Sequence, residues 1–250
     1  MKDDYILKDV MLNGRNILVA GLSKTNLPEI LKAKIERKEA VFSATLIDIN
    51  GDLILKKKKE FEDLDTHISL QSADLCDLAF MKDSSCDLIV LVSTLAALNE
   101  RPLKALQGIA ESKRVLKPEG TLIIKEKIST FGNNRGEFLF YNWYRSRKNM
   151  ISNLFTENHK LFKAHFFLDD LRFAIRTVKM KIESEEMLPS EPISEADKKR
   201  LHDEFRKYQI TRTPFYDSFI EMLETEYDEF KRKESFYPPN ILMRCVHNNT

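Results

Sequence analysis

Three places in the chain carry residue types that could hold a ligand. The apolar run NILVA at 16–20 breaks at Gly21 and continues as LSKT. A glycine there lets backbone come close to a bound group, and the run looks like the start of a phosphate- or nucleotide-binding turn. The further glycines of such a turn are absent; Ser23, Lys24 and Thr25 stand instead. Asp48 closes the run FSATLIDI at 42–49, and Asp74 follows HISLQ at 67–71. Ionised carboxylates are pure acceptors, suited to ligand hydroxyl and amino donors. One Asp at a strand end is more often a turn or cap residue. Three readings are open for NILVAGLSKT: a cofactor site, a cofactor site that has lost its use, or a strand ending in a loop.

The elements that must position these residues alternate between strand and helix. Ile17–Ala20, Phe42–Ile49, His67–Gln71 and Asp87–Ser93 read as strands, the last apolar on both faces and so central in a parallel sheet. Pro28 suits a helix start before EILKAKIERK, Asp52–Phe61 has helical character, and Pro102–Leu116 carries a sheet-facing stripe of Leu103, Leu106, Ala110 and Leu116. Pro118-Glu119-Gly120 is a turn into the strand Thr121–Ile124. Such alternation implies βαβ units and a parallel sheet. Beyond it, Leu168, Leu171, Ile175, Val178 and Ile182 have helical spacing, LPSEPISEAD reads as a linker, 195–208 and 215–232 read as helices, and Ile241–Val246 is a last strand. The expectation is one α/β domain over 1–250 with helical insertions at about 131–165 and 189–236.

Bulk properties narrow the class. A chain of 250 residues with 42% hydrophobic content can build a real core. Charged residues reach 32%, but the signs cancel to +1, which gives no encouragement to nucleic acid or anionic membrane as partner. The Lys56–Lys59 run is read as a solvated helix face, because acids follow at once. Cys76, Cys86 and Cys245 form no disulfide framework and no CxxC pair, so no metal is assigned. The N-terminal stretch lacks the apolar run of a signal peptide, and no segment approaches a membrane span. A cytoplasmic, soluble protein is expected.

The ordered pieces from Ser72 to Ile128 carry a resemblance. They are Asp74, Leu78-Ala79-Phe80, Ser85-Cys86-Asp87, Arg114-Val115-Leu116-Lys117-Pro118-Glu119-Gly120, and Thr121–Ile124. This stretch resembles the second half of a class I S-adenosylmethionine-dependent methyltransferase of the methyltransferase-11 type. The likeness extends over about 16–128, with Ile241–Val246 as the family's last strand. It implies a Rossmann-like, doubly wound, mostly parallel seven-stranded sheet with S-adenosylmethionine outside the carboxyl ends of its strands. By the same likeness Gly21, Leu22 and Ser23 line the cofactor turn. Asp48 accepts from the ribose hydroxyls and Asp74 from the adenine amino group. Ile49 and Leu75 flank the ring, and Ser93 lies under the methionine part. Asp87 and Lys117-Pro118 are expected to be structural. The chain departs from the family at strand one: Val19 stands where the family has Asp, and Ser23 and Thr25 replace the second and third glycines.

Methyl transfer from a sulfonium needs alignment and exclusion of water, and a general base only where the nucleophile starts protonated. Acceptor sites of the family are built outside the sheet. The first insertion holds Phe138, Phe140, Tyr141, Trp143 and Tyr144, an aromatic lid or plain core packing. Tyr141, His159 and His165 are candidate catalytic groups; Arg145, Arg147 and Lys148 suit an acidic acceptor or a solvated surface. In the second, Glu221, Glu224, Glu226, Asp228 and Glu229 oppose an apolar face and read as an ordinary amphipathic helix. The leading reading is methyl transfer to a small molecule. The alternative is a non-catalytic, methyltransferase-like protein that serves a protein partner. A nicotinamide-dependent enzyme ranks third, since it would want the full G-x-G-x-x-G turn.

Overall fold

The computed structural model describes residues 3–64, 67–98, 103–129, 138–155, 165–207 and 214–248. The chain forms two compact units. One comprises Met1–Lys127, Lys163–Leu188 and Asn240–Thr250; the other comprises Ile128–Phe162 and Pro189–Pro239.

The first unit is built on a seven-stranded sheet. Its strands are β1 (Asn16–Ala20), β2 (Ser43–Asp48), β3 (Ile68–Ser72), β4 (Cys86–Val92), β5 (Leu116–Lys127), β6 (Met180–Met187) and β7 (Asn240–His247). Their order is β3-β2-β1-β4-β5-β7-β6. The first five are mutually parallel, and β7 runs antiparallel to both β5 and β6. The sheet is therefore mostly parallel, as the alternation implied, and doubly wound and seven-stranded, as the resemblance implied. Strand order reverses between β1 and β4, the switch point outside which such sheets bind ligands. The uninterrupted apolar run of β4 is explained by its place between β1 and β5, where both faces are covered. Its helices are α1 (Leu27–Glu36), α2 (Gly51–Glu60), α3 (Leu95–Leu98), α4 (Lys104–Val115) and α6 (Leu168–Thr177). Pro28 lies in the first turn of α1, and Asn50 caps α2 by accepting from Leu53 N at 3.2 Å.

Three elements differ from the sequence reading. The buried face of α4 is Ala105, Gly108, Ile109, Ser112 and Val115, whereas Leu103 and Ala110 of the expected stripe are exposed. The helical stripe that begins at Leu168 ends at Thr177; Lys179, at φ 58°, turns the chain, and Ile182 of β6 pairs with Cys245 of β7. From Met180 to Glu183 burial alternates with a period of two, and the ladder shifts register between Ile182 and Ser184. The fifth strand begins at Leu116 rather than Thr121. Leu116 pairs with Cys86 and Thr121 with Leu88, so Lys117–Gly120 form an irregularity opposite Asp87. Pro102, expected to open α4, lies outside the described residues.

The second unit contains α5 (Leu139–Phe155), α7 (Glu195–Asp203) and α8 (Pro214–Phe230). Phe140, Tyr141, Trp143 and Tyr144 are buried with Phe205 and Leu223 in its core. Trp143 lies edge-on to Phe205, with ring centroids 5.7 Å apart. No described helix is long and apolar enough to cross a membrane.

Candidate functional site

The carboxyl end of β1 meets the end of β4 at Gly21. Gly21 adopts φ 88°, ψ 57°, the left-handed region. A Cβ there would overlap the Thr94 hydroxyl and the Val92 carbonyl. The Thr94 hydroxyl lies 3.1 Å from Ala20 O. Glycine is thus demanded by conformation and by the close approach of two strand ends. The chain then makes one 3-10 turn, Leu22–Lys24, with Leu22 buried and Ser23 exposed.

Asp48, at the end of β2, binds that turn. Its Oδ2 accepts from Leu22 N at 2.9 Å and Ser23 N at 3.3 Å, and its Oδ1 accepts from Asn50 N at 2.9 Å. Gly21, Leu22, Ser23 and Asp48 thus form one cluster. Asp48 pairs with Ser72 of β3, and Ala73 N donates to Asp48 O at 3.2 Å, which sets Asp74 on the adjoining strand end. Asp74 Oδ1 accepts from Cys76 N at 2.8 Å, while Oδ2 lies 3.8 Å from Lys104 Nζ. Ile49 is 75% exposed beside Asp48, whereas Leu75 is buried against Gly108. Ser93 is half-buried at φ 51°, and its N–H donates to Lys125 O at 2.8 Å.

Sequence reasoning missed a second cluster behind the turn. Asp3 is 2% exposed. Its Oδ2 accepts from the Thr25 hydroxyl at 2.7 Å and Asn26 N at 3.3 Å, and its Oδ1 accepts from Lys125 Nζ at 2.6 Å. Asn26 Oδ1 accepts in return from Asp3 N at 2.8 Å. The signal that could have found it is Lys125-Glu126, two charged residues closing a buried strand. Glu126, fully buried, accepts from Leu95 N at 2.6 Å.

The other matched pieces hold the sheet. Asp87 accepts from Asn16 N at 2.8 Å and Lys117 Nζ at 2.7 Å. Burial alone would raise its pKa, but these two donors hold it below the usual aspartate value. Arg114 binds the carbonyls of Leu78 and Met81 and the carboxylate of Glu111. Tyr141 belongs to the second unit's core, where burial pushes its phenol pKa up. His165 belongs to the first unit and is half-buried. His159 lies outside the described residues. Arg147 and Lys148 pair with Glu226 and Glu204. Among the described residues no group of three or more His, Cys, Asp or Glu could hold a metal ion.

Residues 30–124 match the family described as Methyltransferase domain. The fold is that of a class I methyltransferase. The sheet and its helices resemble a proposed methyltransferase from Bacillus halodurans C-125, at 14% identity over 99% of this chain and 98% of that one, with TM-score 0.66. They also resemble a SAM-dependent methyltransferase from Methanosarcina mazei, at 16% identity over 99% of both chains, with TM-score 0.61. A third likeness is to the [4+2]-cyclase SpnF, at 15% identity over 98% of this chain and 79% of that one, with TM-score 0.58. No curated protein matches the chain by sequence. The family match begins after the altered turn, and one of these folds belongs to a cyclase, so residues rather than fold must carry the functional argument.

The acceptor set fits the hydroxyl and amino donors of a nucleoside: Asp48 and Asp74 lie at adjoining strand ends, and Ile49, next to Asp48 in the chain, is exposed. The Asp74–Lys104 pair is partly exposed and weak enough to be given up to a ligand amino group. At Asp48, three backbone N–H groups already occupy the carboxylate.

Proposed function

We propose that the chain binds S-adenosylmethionine outside the carboxyl ends of β1, β2 and β3 and directs its methyl group to a small-molecule acceptor. The observation that carries this reading is the placement of Asp48 and Asp74 on adjoining strand ends beside exposed Ile49 and the Gly21 turn. The bound cofactor would supply an electrophilic methyl group on a sulfonium. In this reading Asp48 holds ribose, Asp74 the adenine amino group, and Ile49 a face of the ring. Leu75 supports Asp74 from the core. Ser93 and the Gly21 turn fix the methionine end. No base is assigned: the raised phenol pKa of Tyr141 disfavours it, and His165 stands as the remaining candidate among the described residues. We read the protein as cytoplasmic. We also read it as one methyltransferase-like domain whose insertions, at about 131–165 and 189–236, supply the second unit; the bounds of that unit support this.

Calorimetry with S-adenosylmethionine and S-adenosylhomocysteine tests the reading. Asp48→Ala is expected to weaken binding by about 10- to 100-fold, the value of a hydrogen bond to a charged group. No binding of either compound at millimolar concentration would sink it. The second reading, a non-catalytic protein serving a protein partner, is favoured by one observation, the engagement of Asp48 by its own turn. It requires Asp48→Ala to leave biological activity intact.

A further inference from the structure

Asp48 has a limited capacity to accept. A carboxylate offers about four lone-pair positions, two on each oxygen. Leu22 N and Ser23 N fill both positions on Oδ2, and Asn50 N fills one on Oδ1. One position remains, on Oδ1. A vicinal diol held in the bidentate manner needs one position on each oxygen.

The turn that occupies Oδ2 is fastened at its far end too. The Thr25 hydroxyl donates to Asp3 and accepts from Leu27 N at 3.1 Å, and Asp3 is tied in turn to buried Lys125. Moving Leu22 and Ser23 off Asp48 would therefore disturb a buried ion pair. Leu22 itself is buried, which opposes the same movement.

We infer that Asp48 engages only one hydroxyl of a bound nucleoside, its second oxygen being held by the strand-one turn. This rests on the nucleoside-binding reading above. The turn thus acts as a fixed part of the ligand site, and Asp48 recognises a single hydroxyl donor rather than a diol.

The test is a thermodynamic cycle read by calorimetry. S-adenosylhomocysteine and its 2′-deoxy and 3′-deoxy analogues are titrated into the full chain and into Asp48→Ala. In the full chain one of the two hydroxyls is expected to couple to Asp48 by about tenfold, the other by less than about twofold. Coupling of about tenfold to both hydroxyls would mean the turn has moved away, and would overturn the inference. Coupling to neither would overturn it as well. Absence of any binding by the parent compound would instead defeat the nucleoside reading, and this inference with it. Asp48→Asn, which keeps one acceptor for the turn, replaces Asp48→Ala if that variant does not fold, with circular dichroism as the check.

Discussion

Asp3→Asn tests whether the amino-terminal turn is tied to the sheet by charge. The substitution keeps the side-chain shape but strands the Lys125 ammonium, which is 7% exposed and lies 2.6 Å from Asp3 Oδ1. Removing one partner of a buried pair leaves the other charge uncompensated, at a cost of about 3–5 kcal/mol. The Tyr5 ring, 5.4 Å from Lys125 Nζ, offers a cation–π contribution of only about 0.5–2 kcal/mol, too little to offset that loss. Asparagine can still accept from Thr25 and Asn26, but without the charge that roughly doubles such bonds. At about 2–4 °C per kcal/mol for a chain of this size, Tm should fall by about 6–20 °C, measured by circular dichroism. The pH dependence gives a second check. Burial alone lowers the Lys125 pKa, yet Asp3 and the Tyr5 hydroxyl outweigh it and the net shift is upward from 10.5. A raised folded pKa contributes stability that is whole below the unfolded value and lost as pH rises through the folded one. The wild-type advantage should therefore be full at neutral pH and fade only above 10.5. A loss below about 1 kcal/mol at neutral pH would refute the reasoning, since surface pairs reach that value. Pairing Asp3→Leu with Lys125→Met should restore most of the stability, because matched apolar replacements of a buried pair are often neutral.

Gly21→Ala should cost at least about 2 kcal/mol in urea unfolding, from the left-handed backbone and the overlap with Val92 O together. A loss under about 0.5 kcal/mol would show that the two strand ends do not meet closely. Glu226 accepts from Trp143 Nε1 at 2.7 Å and from Arg147 Nε at 2.6 Å. Burial raises its pKa, but those partners outweigh it and the net shift is downward from 4.5, so its contribution holds above 4.5 and is lost as pH falls through the lower folded value. Trp143 is the single tryptophan, so its fluorescence should stay constant down to about pH 4.5 and change below it, while Glu226→Gln shows the change already at neutral pH.

The chain order of strands and helices was legible because short apolar runs alternating with helical patterns mark the parallel half of the sheet. β6 was not. Its first residues continue the spacing of α6, and on an edge strand the alternation of Met180 and Ile182 with Lys181 and Glu183 is too short to outweigh a helical stripe. The adjacency of Asp48 and Asp74 was readable from the succession of strand ends. The Asp3–Lys125 tie was not, because it spans 122 positions, and charged residues closing a buried strand signal a partner without naming it. Leu75 illustrates a third limit: an apolar residue beside a site carboxylate reads equally as ligand wall or core, and only its packing against Gly108 decides.

The missing glycines of NILVAGLSKT acquire a physical meaning in this light. Of Gly21 to Asn26, only Gly21 has positive φ. Leu22, Ser23 and Lys24 sit in an ordinary 3-10 turn that any residue can adopt. Ser23 and Thr25 therefore impose no backbone strain where the family pattern has glycine. Two acids shape the turn in their place, Asp48 from the front and Asp3 from behind. The turn occupies Oδ2 of its strand-end carboxylate, half of that group's accepting capacity. Whether the chain is a methyltransferase or a protein that has left that chemistry thus turns on the one acceptor position remaining at Asp48, together with Asp74. The hydroxyl-by-hydroxyl cycle at Asp48 measures that position directly: coupling to a single hydroxyl supports a working nucleoside site with a stiffened turn, and the absence of parent binding supports a site closed by its own backbone.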